Sequence, residues 1–350
     1  MCLVSVPTAA APTASPDPAA RRYVPELDGL RAIAAVLVIL FHSDREGPFQ
    51  GGFIGVDIFF VLSAFLITSI LVDEHDRTGT LRLGRFYWRR SLRLMPALLF
   101  FLAVYLALAP LFFPGYPHLR DALIAGLYVS NFAFVAAQIP PFISHTWSLA
   151  AEEQFYLLWP AMLLLLLRAR RPLLVLGLAW AGLTLLRFAT DNWIAYYYGL
   201  ATHGTGLVLG ATLFFLIRAG KLELRPRHAW LSAGMLLVLA VTAQMHVSAL
   251  VITVAEFASA VIIGTIITQP GAMKFLAAPL LVWLGKLSYG LYLWHFPITY
   301  VLREVGGFWS TFTITFALSL GMAMLSYRTV ESWARSLRGP DEGDTAKAAI

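Results

Sequence analysis

"RYVPELDGLRAIAAVLVILFHSD", Arg22 to Asp44, decides how this chain is read. An apolar run, Ala32 to Phe41, lies between an arginine and a histidine. At about 100° per residue, the eleven steps from Arg31 to His42 make about three turns, so both side chains share one helix face, about 16 Å apart along the axis. Ionisable groups are costly in a membrane helix, so two in line on one apolar helix are candidates for function.

The rest of the chain agrees with a membrane setting. Of its 350 residues, 59% are hydrophobic and only 13% charged, and the mean hydropathy is +0.71. A soluble domain carries roughly 25% charged residues. Repeated apolar runs of spanning length predict an all-α polytopic membrane protein. A β-barrel would instead show short alternating segments. The net charge of +6 calls for no nucleic-acid partner, because the basic residues lie between apolar runs, where they set topology. The one cysteine, Cys2, excludes an intramolecular disulfide framework. Residues 1–23 and 339–350 read as disordered tails around a membrane domain at 24–338.

Eleven apolar stretches lie near 28–43, 52–72, 94–113, 121–138, 148–167, 172–189, 204–218, 229–246, 248–268, 280–302 and 308–327. The positive-inside rule tests which of them cross. Arg21 and Arg22 put the N-terminus in the cytoplasm, and an arginine-rich loop (Arg77, Arg82, Arg85, Arg89, Arg90, Arg93) follows the second stretch. Eleven crossings would leave "RARRP" (168–172) and every later basic cluster outside. Removing the weakest stretch, 121–138, brings them all inside. It contains Asn131 and is flanked by Pro114, Pro117, Pro140 and Pro141, so it is expected to be re-entrant or shallow. The expectation is ten crossings, with both termini cytoplasmic and the chain multi-pass in the plasma (inner) membrane.

This topology puts His42, Asp57, Glu152, Glu153 and His295 towards the outer side, opposite the arginine-rich loop. A histidine beside a carboxylate is machinery for deprotonating a hydroxyl or relaying a proton. Clustered arginines suit phosphates. A phosphorylated head inside and a base outside fit an acyl-CoA, whose long arm carries a thioester inward. Simpler accounts stand beside each element. The arginines can be topogenic, the two glutamates favour a helix N-terminus, Gly51, Gly52 and Gly55 serve packing or turns, and Tyr289, Tyr292 and Trp294 suit an interfacial belt. Composition and spacing therefore reach a membrane protein with a polar axis across the bilayer and leave the reaction open. A proton-coupled transporter or flippase is one rival, although no inverted repeat is visible. A non-catalytic subunit that binds acylated material is another.

Five motifs in order resemble the acyltransferase family 3 of integral-membrane O-acyltransferases: "LDGLRAIAAVLVILFH" (27–42), "GGFIGVDIFFVLSAFLIT" (51–68), "FYWRRSLRLMPA" (86–97), "TWSLAAEEQFYLLWP" (146–160) and "LGKLSYGLYLWHFPI" (284–298). The resemblance implies transfer of an acyl group, commonly acetyl, from cytoplasmic acyl-CoA (acetyl-CoA) to a hydroxyl, with no metal. The acceptor it implies is a glycan, a lipid-linked sugar or an antibiotic such as a macrolide. By carry-over, His42 is the catalytic residue, as base or transient acyl carrier, Glu152 is the matched acid with Glu153 beside it, and Arg31, Arg90 and Arg93 belong to the donor side. Asp57 is the alternative acid to orient His42, Arg89 joins the donor arginines, and His203, Ser288, Tyr292 and His295 are candidates for the acceptor side. The chain departs from the family at Ala64, where relatives carry glycine. It departs again at His203 and Thr205, where relatives often carry an arginine and an acid.

Overall fold

The computed structural model describes residues 23–44, 46–244 and 248–337. The two expected tails, with Cys2, Arg21, Arg22 and Arg338, lie outside these residues, apart from Tyr23. In chain order the helices are α1 (Pro25–His42), α2 (Gly55–Thr78), α3 (Leu83–Phe112), α4 (His118–Gly126), α5 (Ser130–Ala137), α6 (Thr146–Arg168), α7 (Pro172–Phe188) and α8 (Trp193–Tyr198). They continue with α9 (Leu200–His203), α10 (Thr205–Arg218), α11 (Pro226–Thr242), α12 (Ser248–Thr268), α13 (Pro279–Lys286), α14 (Ser288–Leu302), α15 (Phe308–Arg328) and α16 (Val330–Ser336). No strand occurs among the described residues.

Local chemistry sets many of the boundaries. Pro25, Pro172, Pro226 and Pro279 open their helices, where the missing N–H costs no hydrogen bond. Gly79 closes α2 in the left-handed region (φ 69°), its N–H bonded to the His75 carbonyl at 2.7 Å.

A bilayer core about 30 Å thick asks for about 20 apolar helical residues. Among the described residues, six segments are long and apolar enough: Gly52–Thr78, Leu83–Phe112, Thr146–Arg168, Leu200–Arg218, Ala249–Thr268 and Phe308–Ser336. α1 carries Glu26, Asp28 and Arg31, α7 and α11 have 17 residues each, and the α13–α14 pair breaks at Leu287.

Two sequence expectations meet a different local structure. The stretch 121–138 is not one helix, because α4 and α5, nine and eight residues long, are separated by a break at Leu127–Val129. Each is too short to cross, at about 14 Å or less. Asn131 and Gln154 exchange amide hydrogen bonds (3.1 and 2.9 Å), and Gln154 also donates to the Tyr128 carbonyl at the break (2.8 Å), so the polar groups of this stretch are answered by α6. The arginine-rich stretch, expected as a loop, is helical from Leu83, so Arg85, Arg89, Arg90 and Arg93 lie on the first three turns of α3. No glycine or proline lies between Arg85 and Met95 to stop it.

The core lies where α1, α2, α10 and α12 cross. A Cβ at Gly55 would collide with the Ala34 carbonyl, so this glycine is what lets α2 approach α1. Gly210 meets the Val61 carbonyl in the same way and lies opposite the Ala64 methyl. The methyl at the departure from Ser-Gly-Phe is thus housed by a glycine on α10.

Candidate active site

Two polar centres lie inside this apolar bundle. The first forms around His42, the last residue of α1. Its Nδ1 lies 2.9 Å from the Val38 carbonyl, one turn back, and 3.3 Å from His295 Nε2 on α14. The His295 Nδ1 lies 2.6 Å from the Tyr292 carbonyl. A carbonyl can only accept, so His295 carries its proton on Nδ1 and turns an Nε2 lone pair to His42. His42 likewise carries its proton on Nδ1, shared between Val38 and His295. The His42 Nε2 therefore holds a lone pair, and none of the described residues bonds it. Phe41 and Phe296 press edgewise on the ring at centroid distances of 4.7 and 4.9 Å, which fixes its plane.

His42 lines a cavity of about 180 Å³. Its polar lining includes Ser144, His145 and Arg303, and its walls include Trp147, Tyr197, Tyr198 and Phe296. His145 immediately precedes α6 and is buried. Its Nε2 donates to the Leu293 carbonyl at 3.1 Å, while its Nδ1 is buried without a partner among the described residues. The Tyr292 ring also lines the cavity. Its hydroxyl donates to the His145 carbonyl at 2.9 Å and accepts from Ser148, so it secures the turn that presents His145.

The second centre lies beyond Trp147, whose indole packs on the His203 imidazole (5.1 Å between centroids). His203 donates Nδ1–H to the Tyr197 carbonyl, and its Nε2 meets Asp57 Oδ1 at 2.9 Å. Both ring nitrogens face oxygens, so this buried pair shares the proton between imidazole and carboxylate. Arg187 on α7 reaches Glu256 on α12 (3.2 Å), Thr205 (3.0 Å) and Thr253 (2.7 Å), and Thr205 also donates to Glu256. Arg187, Glu256, Asp57 and His203 are all fully buried. Two acids and two bases give a neutral quartet, which is how an apolar interior tolerates four ionisable groups.

The arginine end forms a third cluster. Arg90 grips Glu153 through Nε (3.0 Å) and Nη2 (2.6 Å), and its guanidinium lies 3.2 Å from the Tyr156 ring centre. Glu152 lies within electrostatic reach of Arg90, Glu153 and Arg31. Arg31 keeps a buried Nε without a partner among the described residues. Arg89 and Arg93 are half-buried on α3 beside Arg90.

Against the sequence expectations, His42 and Tyr292 do meet at one cavity. Asp57, Glu152 and Glu153 do not adjoin His42. Asp57 pairs with His203, Glu153 pairs with Arg90, and the ring beside His42 is another imidazole, His295. His203 does not line the cavity; it lies behind Trp147, with both of its nitrogens engaged. Ser288 is buried at the start of α14, seven residues and about 10 Å from His295 along the helix. The expected separation of glutamates and arginines across the bilayer also gives way. Glu153 and Arg90 each lie about 10 Å inside their own helix and meet in the interior. Sequence reasoning missed His145, Arg187 and Glu256. The signal was present, since each is an ionisable residue within or at the edge of an apolar stretch.

A family profile described as an acyltransferase domain (acyltransferase 3) matches residues 24–328. The chain belongs to this family. O-acetyltransferase OatA of Staphylococcus aureus (strain NCTC 8325 / PS 47) is 34% identical over 347 residues, covering 89% of this chain and 57% of the relative. Peptidoglycan O-acetyltransferase OatA of Listeria monocytogenes serovar 1/2a (strain ATCC BAA-679 / EGD-e) is 33% identical over 348 residues, covering 89% and 56%. The chain thus spans little more than half the length of these curated relatives. No solved structure matches it. With its apolar helices, this kinship makes the chain a multi-pass protein of the plasma membrane.

Proposed function

We infer that the chain transfers an acetyl group from cytoplasmic acetyl-CoA to a hydroxyl of a cell-envelope glycan. The observation that carries this reading is the His42 imidazole, which lines a cavity and whose Nδ1 is held by Val38 and His295, leaving its Nε2 lone pair unbonded among the described residues. A base needs that arrangement, with the tautomer fixed on one side and the lone pair free on the other. The relatives' names supply the acetyl group and, for one of them, the peptidoglycan acceptor.

In the proposed reaction the acceptor O–H gives its proton to His42 Nε2. The oxygen attacks the thioester carbon, the C–S bond breaks, and the CoA thiolate leaves with the proton that His42 returns. As Nε2 gains charge, the His42 Nδ1–H bond to His295 Nε2 strengthens, the task a carboxylate performs in a serine-protease triad. The donor's phosphates are assigned to Arg89 and Arg93, and its arm to the side of α1 that carries Arg31. Arg90, taken by Glu153 and Tyr156, ties α3 to α6.

The assignment implies ten crossings: the six long segments, α1, α7, α11 and the α13–α14 pair. Both termini are then cytoplasmic, and His42, His145, Asp57 and His203 share the outer half. Supplying membranes that contain the protein with radiolabelled acetyl-CoA and identifying the product by mass tests the function. The expected product is a base-labile acetyl ester on a glycan. Label on a lipid-linked sugar or a small antibiotic would reassign the acceptor, and an intact thioester would refute transfer.

A further inference from the structure

Arg303 has no part in the reaction so far. It caps α14, about 12 Å further along the helix than His295. The helix dipole alone favours an arginine at a C-terminus. Two observations go beyond that. The first is that Arg303 lines the cavity together with His42, and its side chain stays 14% exposed. The second is that the side chain is held in place. Its guanidinium lies 4.5 Å from the Tyr300 ring centre, and Phe113 and Phe142 pack edgewise on that ring at 5.7 and 5.1 Å. Its Nε lies 3.6 Å from Glu304, whose side chain is 59% exposed, so water screens that pair.

Among the described residues that line the cavity there is no carboxylate, and Arg303 is the one side chain with a permanent charge. Arg303 also lies within electrostatic reach of His42. The imidazolium that forms on His42 as the acceptor proton is taken therefore meets a like charge, which opposes the step. An anionic group seated against Arg303 cancels that opposition and is itself held by charge-assisted hydrogen bonds. The donor is not its source in the ten-crossing arrangement, because the CoA phosphates are assigned to α3 at the cytoplasmic end and Arg303 ends α14 at the outer end. A lipid headgroup would be met from outside the bundle, not in a cavity walled by Trp147, Tyr197 and Phe296. We propose that Arg303 is an acceptor-binding residue and that the acceptor is anionic, with a carboxylate or phosphate near the hydroxyl that His42 deprotonates. This rests on the acyl-transfer reading and adds the acceptor's charge. Specificity then follows from that charge, since a neutral acceptor forgoes the bond to the guanidinium.

The test uses the full-length protein in membranes, radiolabelled acetyl-CoA, and the soluble glycan fraction released from the host's cell envelope by a glycosidase. The glycan is supplied in three forms: untreated, carboxyl-reduced with carbodiimide and borohydride, and dephosphorylated with cold hydrofluoric acid. For the wild type, one of the two treatments should raise the half-saturating glycan concentration at least tenfold, and which one identifies the anion. For Arg303→Gln, half-saturation by untreated glycan should rise at least tenfold while half-saturation by acetyl-CoA does not change. This variant should also no longer distinguish untreated from treated glycan, a readout that a packing or lipid-anchoring role would not move. Arg303→Lys, which keeps the charge without the planar fork, should keep the preference for untreated glycan. A wild type that uses all three forms equally would overturn the proposal. So would an Arg303→Gln protein that retains the wild-type preference, or one whose plateau falls with glycan half-saturation unchanged. A wild type that labels no glycan in any form would overturn the acyl-transfer reading and this proposal with it, a result distinct from the other failures, in all of which the wild type labels glycan.

Discussion

The histidine cavity and the Arg187–Glu256 quartet lie in the same bundle, a single tryptophan apart, and hold their ionisable groups differently. In the quartet two acids meet two bases, and both nitrogens of His203 are engaged. Around the cavity, His295 and Val38 hold one nitrogen of His42 and Leu293 holds one of His145, and the other nitrogen of each ring is left open. Burial alone does not separate these centres. What separates them is charge and the cavity: the quartet pairs acids with bases and, although Asp57 Oδ2, Glu256 Oε2 and Arg187 Nε stay unbonded among the described residues, none of its members lines the cavity, whereas His42 and His145 both do.

The largest expected effect that distinguishes the two regions is in the quartet. Arg187→Ala leaves Glu256 buried without its partner, and breaking a buried pair in this way costs about 3–5 kcal/mol. The purified variant should melt well below the wild type. A melting point unchanged by Arg187→Ala would show that the quartet does not join α7 to α12. A smaller effect is expected at the adjoining pair. Asp57→Ala and His203→Ala should each destabilise, and the double variant should cost less than their sum by about 1–3 kcal/mol, because contacting groups are not additive. Additive losses would contradict a shared proton. The smallest effect falls on activity. His295→Ala removes one of the two groups holding His42 Nδ1 while Val38 remains. Turnover should fall about tenfold, with half-saturation by both substrates unchanged, since the tautomer is only partly released. Full activity would leave His295 with a packing role.

Much of the scaffold could be read in the sequence, because the bilayer imposes long apolar periods. The helices begin and end near the apolar stretches, and the proline-flanked 121–138 segment, which Asn131 had marked as unfit to cross, breaks in two at Leu127–Val129. His42 was legible as an ionisable group on an apolar helix, whereas Tyr292 read as an interfacial-belt residue and gave no local sign of its place at the cavity. Partnerships were not legible. His42 and His295 are 253 positions apart, and Asp57 and His203 are 146 apart, and no local pattern encodes which distant helix faces which. The carboxylate expected beside His42 went to His203 for this reason. Arg187 escaped notice because arginines at the ends of apolar runs normally set topology, and only the packing of α7 on α12 shows that this one turns inward to Glu256.

The central claim is that His42 Nε2 is the base. The most direct measurement compares purified wild type and His42→Ala for acetyl transfer, with melting and detergent-phase size measured on the same samples. Loss of a positioned base typically costs about 10²–10⁴-fold, so transfer should fall by at least a hundredfold while melting and size stay the same. A folded His42→Ala protein that transfers acetyl at the wild-type rate would contradict the account.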